Sequence, residues 1–253
     1  GIMHVDKFAR TAVGHMLKHY SRDAAHFGNE QIDRSRSCFN YNLAPDREKA
    51  DIDYYKERLS KVKCQKRADV KTLCDWIITL PKVDFTEREE ARFFQEAYQF
   101  MAKRYGEQNV VSAWVHKDEA GQAHMHFAFI PVCWDKRHER EKVSAKEVLT
   151  RNELRSIHKD MSKHMEYTFG RDIGILNGST VGGNKTVMEL KTKGLQEEVS
   201  TLEQMRDKSI ADMARLIQRV PSLLPNISRA VKVALGKEQP PLEKADRTRE
   251  RVR

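Results

Sequence analysis

Three histidines that fall within eleven residues are the side chains of this chain best suited to chemistry: His116, His124 and His126. Because side chains alternate between the two faces of a strand, His124 and His126 would share one face while Met125 and Phe127 occupy the other. This pattern predicts a strand with one polar face and one face in the core.

A hairpin would bring the third histidine to the other two. Residues 110–115 are rich in β-branched and aromatic side chains and predict a partner strand that ends at His116. Residues 118–122 have turn chemistry, and they include the carboxylates of Asp118 and Glu119. The three imidazoles would then converge on one point.

Three neutral imidazoles on a rigid sheet suit a catalytic divalent metal ion, which needs protein ligands and an open position. A His-x-His pair on a strand often occurs without any metal, so the third histidine and the nearby carboxylates are what favour a metal here. Nitrogen ligands favour manganese, zinc, nickel or cobalt over magnesium, and manganese is the ion that we expect. A structural zinc site would need four protein ligands, whereas the sequence offers three clear ones.

The composition indicates a globular protein with a polar extension and a polyanionic partner. Of the 253 residues 39% are hydrophobic, which is enough for a core, and 33% are charged. Lys and Arg outnumber Asp and Glu by 46 to 37, and the net charge of +9 favours nucleic acid as a partner. The four cysteines lack the spacing of a disulfide framework or thiolate site, and no apolar run approaches the roughly 18 residues of a membrane span. We therefore expect a cytoplasmic protein with no membrane segment.

Hydrophobic periodicity and capping residues place the other elements around the hairpin. The expected elements are a strand at 2–8, a helix at 11–22, a half-buried strand at 38–43, a helix at 51–63, a central strand at 73–80, and helices that begin after the capping residues Thr86 and Thr150. A turn-rich stretch at 177–184 is the expected domain boundary, and the apolar spacing over 185–220 predicts a long amphipathic helix. Residues 238–253 are charged enough to be disordered.

A basic, hydroxyl-rich loop at 33–37 leads into the strand predicted at 38–43. In that strand Phe39 and Tyr41 would share the buried face. Charge in such a loop is often ordinary solvated surface, but it also suits contacts with DNA phosphates. The side chains that we expect to make phosphate contacts are Arg22, Arg34, Arg36, Lys66 and Arg67.

Four stretches of the chain, taken in order, resemble the Mob/Pre (MOBV) family of plasmid relaxases, which belongs to the HUH endonuclease superfamily. They are Leu-Lys-His-Tyr-Ser-Arg at 17–22, Ser-Arg-Ser with Asn-Tyr at 35–41, Leu-Cys-Asp-Trp-Ile-Ile-Thr at 73–79, and the histidine hairpin at 116–126. The resemblance covers roughly residues 3 to 190.

The resemblance implies an α+β fold of the HUH type, in which a central antiparallel β-sheet is flanked by helices and followed by a C-terminal helical extension. It also implies a bacterial enzyme that binds a plasmid origin of transfer, as a hairpin or as single-stranded DNA around the nick site. Such an enzyme cleaves one strand by transesterification and stays attached to the 5′ phosphate. The implied organisation is a relaxase domain at 1–184 and a truncated helical extension at 185–253, which could bind a coupling protein or a second copy of the chain.

By position, the resemblance assigns His116, His124 and His126 to the metal. Glu119 matches the family's motif carboxylate, which would handle a proton or orient the metal. The loop between Glu119 and His124 departs from the family pattern, since it is one residue longer and lacks the usual proline before the His-x-His pair.

His19 matches a position that is a histidine nucleophile in one branch of the family. Tyr20 follows it where the family usually has asparagine, so Tyr20 stays open as an alternative nucleophile. Neutral His19, with a reference pKa near 6.5, is already nucleophilic at neutral pH, whereas Tyr20, with a reference pKa near 10, would first have to ionise. In a helix the two side chains would lie about 100° apart, so they could not both aim at one point.

Two other functions are compatible with these residues. One is a DNA-binding module in which the histidines hold a structural metal. The other is a metal-dependent nuclease that uses bound water, with Glu119 as the base, and releases its products without a covalent adduct. Covalent attachment of the protein to DNA would distinguish the relaxase from both.

Overall fold

Five antiparallel strands form the central sheet, in the order β1-β3-β5-β4-β2. The computed structural model describes residues 3–23, 32–176 and 187–219. The five strands are β1 (Met3–Ala9), β2 (Tyr41–Asn42), β3 (Lys71–Thr79), β4 (Val110–His116) and β5 (His124–Phe129). The expected α+β fold with a central antiparallel sheet is confirmed.

Helices cover both faces of this sheet. In the first part of the chain they are α1 (Arg10–Ser21), α2 (Asp51–Ser60), α3 (Glu87–Tyr105), α4 (Ala145–Val148) and α5 (Arg151–Phe169), and short 3-10 helices span Arg34–Phe39 and Glu107–Asn109. A further helix, α6 (Val187–Arg219), follows α5 along the chain. A second, two-stranded sheet pairs β6 (Val132–Asp135) with β7 (Arg140–Val143), which the sequence analysis did not anticipate.

The two faces of the sheet pack into two separate hydrophobic clusters. One cluster joins α3 and α5 to the face that carries Met125, Phe127 and Phe129, and all three of these side chains are fully buried. The other joins Leu17 of α1 and Tyr55 of α2 to the opposite face. The sheet face that carries the histidines is therefore not simply polar, because α1 and α2 cover part of it.

Side-chain caps mark the starts of α3 and α5 where the sequence predicts them. Thr86 and Glu89 form a complete capping box at the start of α3, and Thr150 accepts a hydrogen bond from the backbone N–H of Glu153 at the start of α5. Gly170 ends α5 with a left-handed φ of 65°, a conformation that glycine adopts at little cost.

The strand predicted at 38–43 is wrong over most of its length. Only Tyr41–Asn42 pairs as a strand, and Arg34–Phe39 form a 3-10 helix that ends at the extended residue Asn40. The side chain of Asp33 accepts a hydrogen bond from the backbone N–H of Ser35 and so caps this helix. As a result Phe39, which was expected in the core, is 59% exposed.

Contacts within the chain divide it into two compact units, residues 1–182 and 183–253. In the second unit α6 is a single helix of 33 residues. The predicted linker at 177–184 and the predicted disordered end at 238–253 lie outside the described residues. Within the described ranges, no helix has both the length and the apolar character that a membrane crossing requires.

Candidate active site

The β4–β5 hairpin brings the three predicted metal ligands together. His116 lies directly opposite His124 in the antiparallel pairing, and His126 is two residues further along β5. One ligand atom from each residue lies within 4.8 Å of the other two. This convergence is the one expected from the alternation of residues along the strands.

Burial keeps the imidazoles of His116 and His124 neutral, which is the form that binds a metal ion. The pKa of His116 is lowered to about 2, chiefly by burial and then by the nearby ring of His126. The pKa of His124 is lowered for the same two reasons, in the same order. If His116 or His124 were protonated, its ring would lose most of its hydration, and the nearest carboxylate, Glu119, lies beyond hydrogen-bond distance.

Hydrogen bonds fix which ring nitrogen carries the proton in His116 and in His126. The Nε2 atom of His116 lies 2.8 Å from the carbonyl oxygen of Tyr20, which can only accept, so Nε2 donates and Nδ1 keeps its lone pair. The Nδ1 atom of His126 lies 2.7 Å from Oδ2 of Asp75 and donates to that carboxylate, which leaves Nε2 as the ligand atom. These contacts set the tautomer of both rings and leave the lone pair of Nε2 in His126 for a metal, whereas Nδ1 of His116 accepts a hydrogen bond from Arg22 at 3.1 Å.

Asp75 on β3 is a site residue to which the sequence analysis gave no role. It is only 1% exposed, and its Oδ2 accepts hydrogen bonds from His126 and from the hydroxyl of Tyr20, at 2.7 and 2.8 Å. Its other oxygen, Oδ1, has no hydrogen-bond partner. A lone carboxylate in the apolar run at 73–80 was the signal that could have identified it, because a buried charge needs a partner.

Glu119 lies beside the three histidines. Its Oε1 is 3.7 Å from Nδ1 of His116, and its Oε2 is 3.8 Å from Nε2 of His124. Three imidazoles and an adjacent carboxylate are a donor set that fits a divalent ion such as manganese or zinc. Within the described ranges, no fourth histidine or cysteine joins this group, which fits an open catalytic site better than a closed structural one.

Arg22 lies inside the site, although it was predicted as a DNA contact. It caps α1 with a left-handed φ of 61°, which is uncommon for a residue with a side chain. Its guanidinium donates two hydrogen bonds to Asp118, at 2.8 and 3.0 Å, and one to Glu119, at 2.7 Å. It also donates to Nδ1 of His116, at 3.1 Å. Arg22 thus fixes the position of Glu119 relative to the histidines.

Asp118 is the buried counter-charge of this arrangement. Its side chain is fully buried, and it accepts a hydrogen bond of 2.6 Å from Ser37 as well as those from Arg22. These hydrogen bonds hold the pKa of Asp118 well below its usual range, despite the opposing effect of burial. Sequence analysis named Asp118 only as a nearby turn carboxylate.

His19 and Tyr20 both approach the histidines, but in different environments. The ring centroid of His19 lies 6.1 Å from that of His116 and 5.9 Å from that of His126, and its side chain is partly exposed. Tyr20 is fully buried and stacks on His126 at 4.7 Å. Adjacent positions on the helix were expected to direct the two rings to different places, but both rings lie near His126. His19 approaches it from the solvent side, and Tyr20 approaches it from the core.

The two candidate nucleophiles differ in their ionisation. Burial, followed by the charge of Arg22, lowers the pKa of His19, so His19 is neutral at neutral pH. Burial and the carboxylate of Asp75 raise the pKa of Tyr20 far above its ordinary value, and the tyrosine hydroxyl is already committed to Asp75. This environment opposes ionisation of the tyrosine.

The remaining predicted DNA contacts lie in two places. Arg34 and Arg36 are exposed on the 3-10 helix next to Asp118. Lys66 and Arg67 precede β3 and are exposed. His126 pairs with Ile77, which is six residues, or roughly 20 Å, along β3 from its first residue, so this second pair precedes the end of β3 that is remote from the histidines.

Comparisons with known proteins agree with this geometry. Residues 1–191 match the family model Mob_Pre, described as a plasmid recombination enzyme. A plasmid recombination enzyme of Lactiplantibacillus plantarum is 32% identical over 199 residues, which are 76% of this chain and 53% of the relative. One from Streptococcus agalactiae is 35% identical over 201 residues, which are 75% of this chain and 38% of the relative.

Among solved structures, the MobM relaxase domain (MOBV; Mob_Pre), bound to plasmid pMV158 oriT DNA in a manganese-bound crystal structure, matches with a TM-score of 0.60. The identity is 30%, and the match covers 76% of this chain and 97% of that one. This chain spans between about a third and a half of the curated relatives. The family match over three quarters of its length nevertheless settles its membership: the chain belongs to the Mob/Pre family of plasmid recombination enzymes.

Proposed function

We propose that this protein is a relaxase that binds a plasmid origin of transfer, nicks one DNA strand by transesterification and remains attached to the 5′ phosphate. The observation that carries the proposal is the position of a neutral, partly exposed His19 beside three imidazoles that can hold a metal ion. The solved MobM relaxase domain was bound to oriT DNA, which supports DNA of this kind as the substrate. We place the reaction in the bacterial cytoplasm.

His19 is the proposed nucleophile. A lone pair on one of its ring nitrogens attacks the scissile phosphorus and forms a P–N bond, while the P–O3′ bond breaks and its electron pair stays on the 3′ oxygen. The ring gives up its remaining N–H proton, and the 3′ oxygen gains one. Attack by the released 3′ hydroxyl reverses these steps and reseals the strand.

Glu119 is the proposed proton-handling group. Arg22 holds one of its oxygens, so the carboxylate is positioned and does not have to be ordered when DNA binds. Its negative charge also acts on His19, where it favours the positive charge that develops as the P–N bond forms. Tyr20 stays in this scheme as a hydrogen-bond donor to Asp75 rather than as the attacking group.

His116, His124 and His126 would hold the metal ion, and manganese is the ion that we propose. A divalent ion there would neutralise the charge that builds on the non-bridging phosphate oxygens. The matched MobM crystal structures contain manganese, and nitrogen ligands favour it over magnesium.

Exposed cations would place the DNA strand. Arg34 and Arg36 lie at the rim of the site, where they can contact phosphates close to the nick, and Lys66 and Arg67, before the remote end of β3, can contact phosphates further along the strand. Arg22 is mainly a positioning residue, because its guanidinium already binds two carboxylates. DNA affinity should therefore fall steeply as salt concentration rises.

The long helix α6 is the proposed partner surface. Its apolar side chains fall within roughly 140° of the helical wheel and are between 44% and 63% exposed; they are Leu195, Val199, Leu202, Met205, Ile210 and Met213. A stripe of this kind can pack against another amphipathic helix. We propose a second copy of the chain or a coupling protein as its partner.

The decisive experiment incubates the full chain with the supercoiled plasmid that encodes it and manganese, followed by denaturing electrophoresis and mass spectrometry of any DNA-linked peptide. We expect an adduct on His19. His19→Ala should form no adduct while its DNA affinity stays within about threefold, and His15→Ala, an exposed histidine on the same helix, should behave as wild type. An adduct in the His19→Ala variant would exclude His19, and nicking without any adduct would favour the water-using nuclease.

A further inference from the structure

Hydrogen bonds hold the 3-10 helix Arg34–Phe39 and its flanking residues against the turn that carries Glu119. The backbone N–H of Asp33 donates to the carbonyl of Asp118 at 2.7 Å, and Ser37 donates to the Asp118 carboxylate at 2.6 Å. The backbone N–H of Lys117 donates to the side chain of Asn40 at 2.8 Å. The segment is therefore held in a defined position beside the active site.

Side chains three residues apart lie in line along a 3-10 helix, because it has three residues per turn. Ser37 and Asn40 belong to the row that faces the β4–β5 turn, as their hydrogen bonds show. Arg36 and Phe39 form another row, and both are exposed. A cation and an aromatic ring are thus presented on one face of a rigid segment beside the catalytic histidines.

The exposure of Phe39 requires an explanation, because the segment itself leaves 59% of this large apolar side chain in water. Within the described ranges, no carboxylate forms an ion pair with Arg36, so its charge is also available. A nucleotide carries a phosphate and a planar base, separated by about the length of one side chain. A guanidinium binds the phosphate well, and a phenyl ring stacks on the base.

We propose that Arg36 and Phe39 form a nucleotide subsite, in which Arg36 binds a phosphate of the DNA strand and a nucleobase close to the nick stacks on Phe39. This inference rests on the proposed function, and it adds a base-binding residue that the phosphate contacts alone do not supply. Stacking tolerates any base, because every base has a π-face, so the subsite would orient the strand without reading its sequence.

The test measures binding of the full chain to a fluorescein-labelled 12-nucleotide single strand of mixed sequence, by fluorescence anisotropy over a range of salt concentrations. Phe39→Ala should weaken binding by roughly 5- to 150-fold, which is the loss expected for one stacked base, and should leave the salt dependence unchanged. Phe39→Trp should bind at least as well as wild type, and Phe39→Leu, which stays apolar without a ring, should resemble Phe39→Ala.

Arg36→Ala should instead lower the slope of log affinity against log salt by roughly 0.7, as expected for one lost phosphate contact with a single strand. Tyr167→Ala is the matched control, because Tyr167 is 91% exposed on α5, and it should leave binding unchanged. Equal binding by Phe39→Leu and wild type, an equal loss in the Tyr167→Ala variant, or a change of less than twofold for Phe39→Ala would overturn the subsite.

The adduct experiment on wild type separates this inference from the proposed function. If wild type forms the adduct but Phe39→Ala binds single strands as tightly as wild type, the relaxase stands and the subsite is wrong. If no adduct forms but Phe39→Ala loses affinity and Phe39→Trp restores it, the subsite stands on a protein with another DNA activity.

Discussion

The carboxylate of Asp75 should control how tightly His126 holds a metal ion. Asp75 is buried, and its Oδ2 accepts from His126 at 2.7 Å and from Tyr20 at 2.8 Å. In Asp75→Asn the amide oxygen can accept the same bonds, but without a negative charge. Hydrogen bonds to charged groups contribute about 1.5–3 kcal/mol and neutral ones about 0.5–1.5 kcal/mol. The hydrogen bond that orients His126 and raises its basicity should therefore become weaker by about 1–1.5 kcal/mol. Since 1.4 kcal/mol is a factor of ten in affinity, metal affinity should fall by roughly 5- to 13-fold, at the low end of the roughly 10- to 100-fold range expected when such a supporting contact is changed.

Calorimetric titration of the full chain with manganese measures this change directly, without any DNA. Asp6→Asn is a suitable control, because Asp6 lies opposite Asp75 in the sheet, but its side chain is half exposed and contacts His4 instead. The control should bind manganese as wild type does. If Asp75→Asn binds manganese within twofold of wild type, with an unchanged melting temperature, then the buried carboxylate does not tune the ligand and this reasoning fails.

Further predictions concern the nucleophile, the buried ion pair, the metal and the cysteines. Tyr20→Phe should still form the covalent DNA adduct, and loss of the adduct in a folded variant would restore the tyrosine as nucleophile. Arg22→Ala should lower the free energy of unfolding by about 3–5 kcal/mol in urea titrations, because Asp118 stays buried without its counter-charge; a loss below about 1 kcal/mol would contradict the importance of this pair. Metal at about 100 times its Kd should add about 2.7 kcal/mol of stability, so chelation should lower Tm and added manganese should restore it. At about pH 8, iodoacetamide should modify exposed Cys38 well before Cys74, because burial excludes the reagent and raises the pKa of the Cys74 thiol to about 12; equal rates would show that β3 opens readily.

The histidine hairpin was predictable because a period of two is a strong local signal. Alternation at 124–129 places one set of side chains in the core, and a turn of fixed length aligns His116 with His124. The helices α3 and α5 were predictable for a similar reason, since their first turns have capping residues at the required spacing.

What sequence reasoning missed depends on contacts between distant residues. Residues 38–43 alternate like a strand and 33–37 resemble a loop, but Asp33 and Ser37 hydrogen-bond to Asp118, more than 80 residues later, and these contacts favour a 3-10 helix. Arg22 resembles a surface cation until the buried Asp118 is placed beside it. Such pairings cannot be predicted from composition or spacing, because they depend on how the sheet is assembled.

The strand order also determines when the site can exist during synthesis. The central strand β5 is the last of the five to leave the ribosome, and it inserts between β3 and β4 with two of the three proposed ligand histidines. Arg22 precedes its partner Glu119 by 97 residues, which translation at roughly 5–20 residues per second covers in about 5–20 s. A nascent chain therefore carries His19 for several seconds or longer before any of the three hairpin histidines is translated. The three imidazoles can therefore meet only after residue 126 of the 182-residue first unit has been translated.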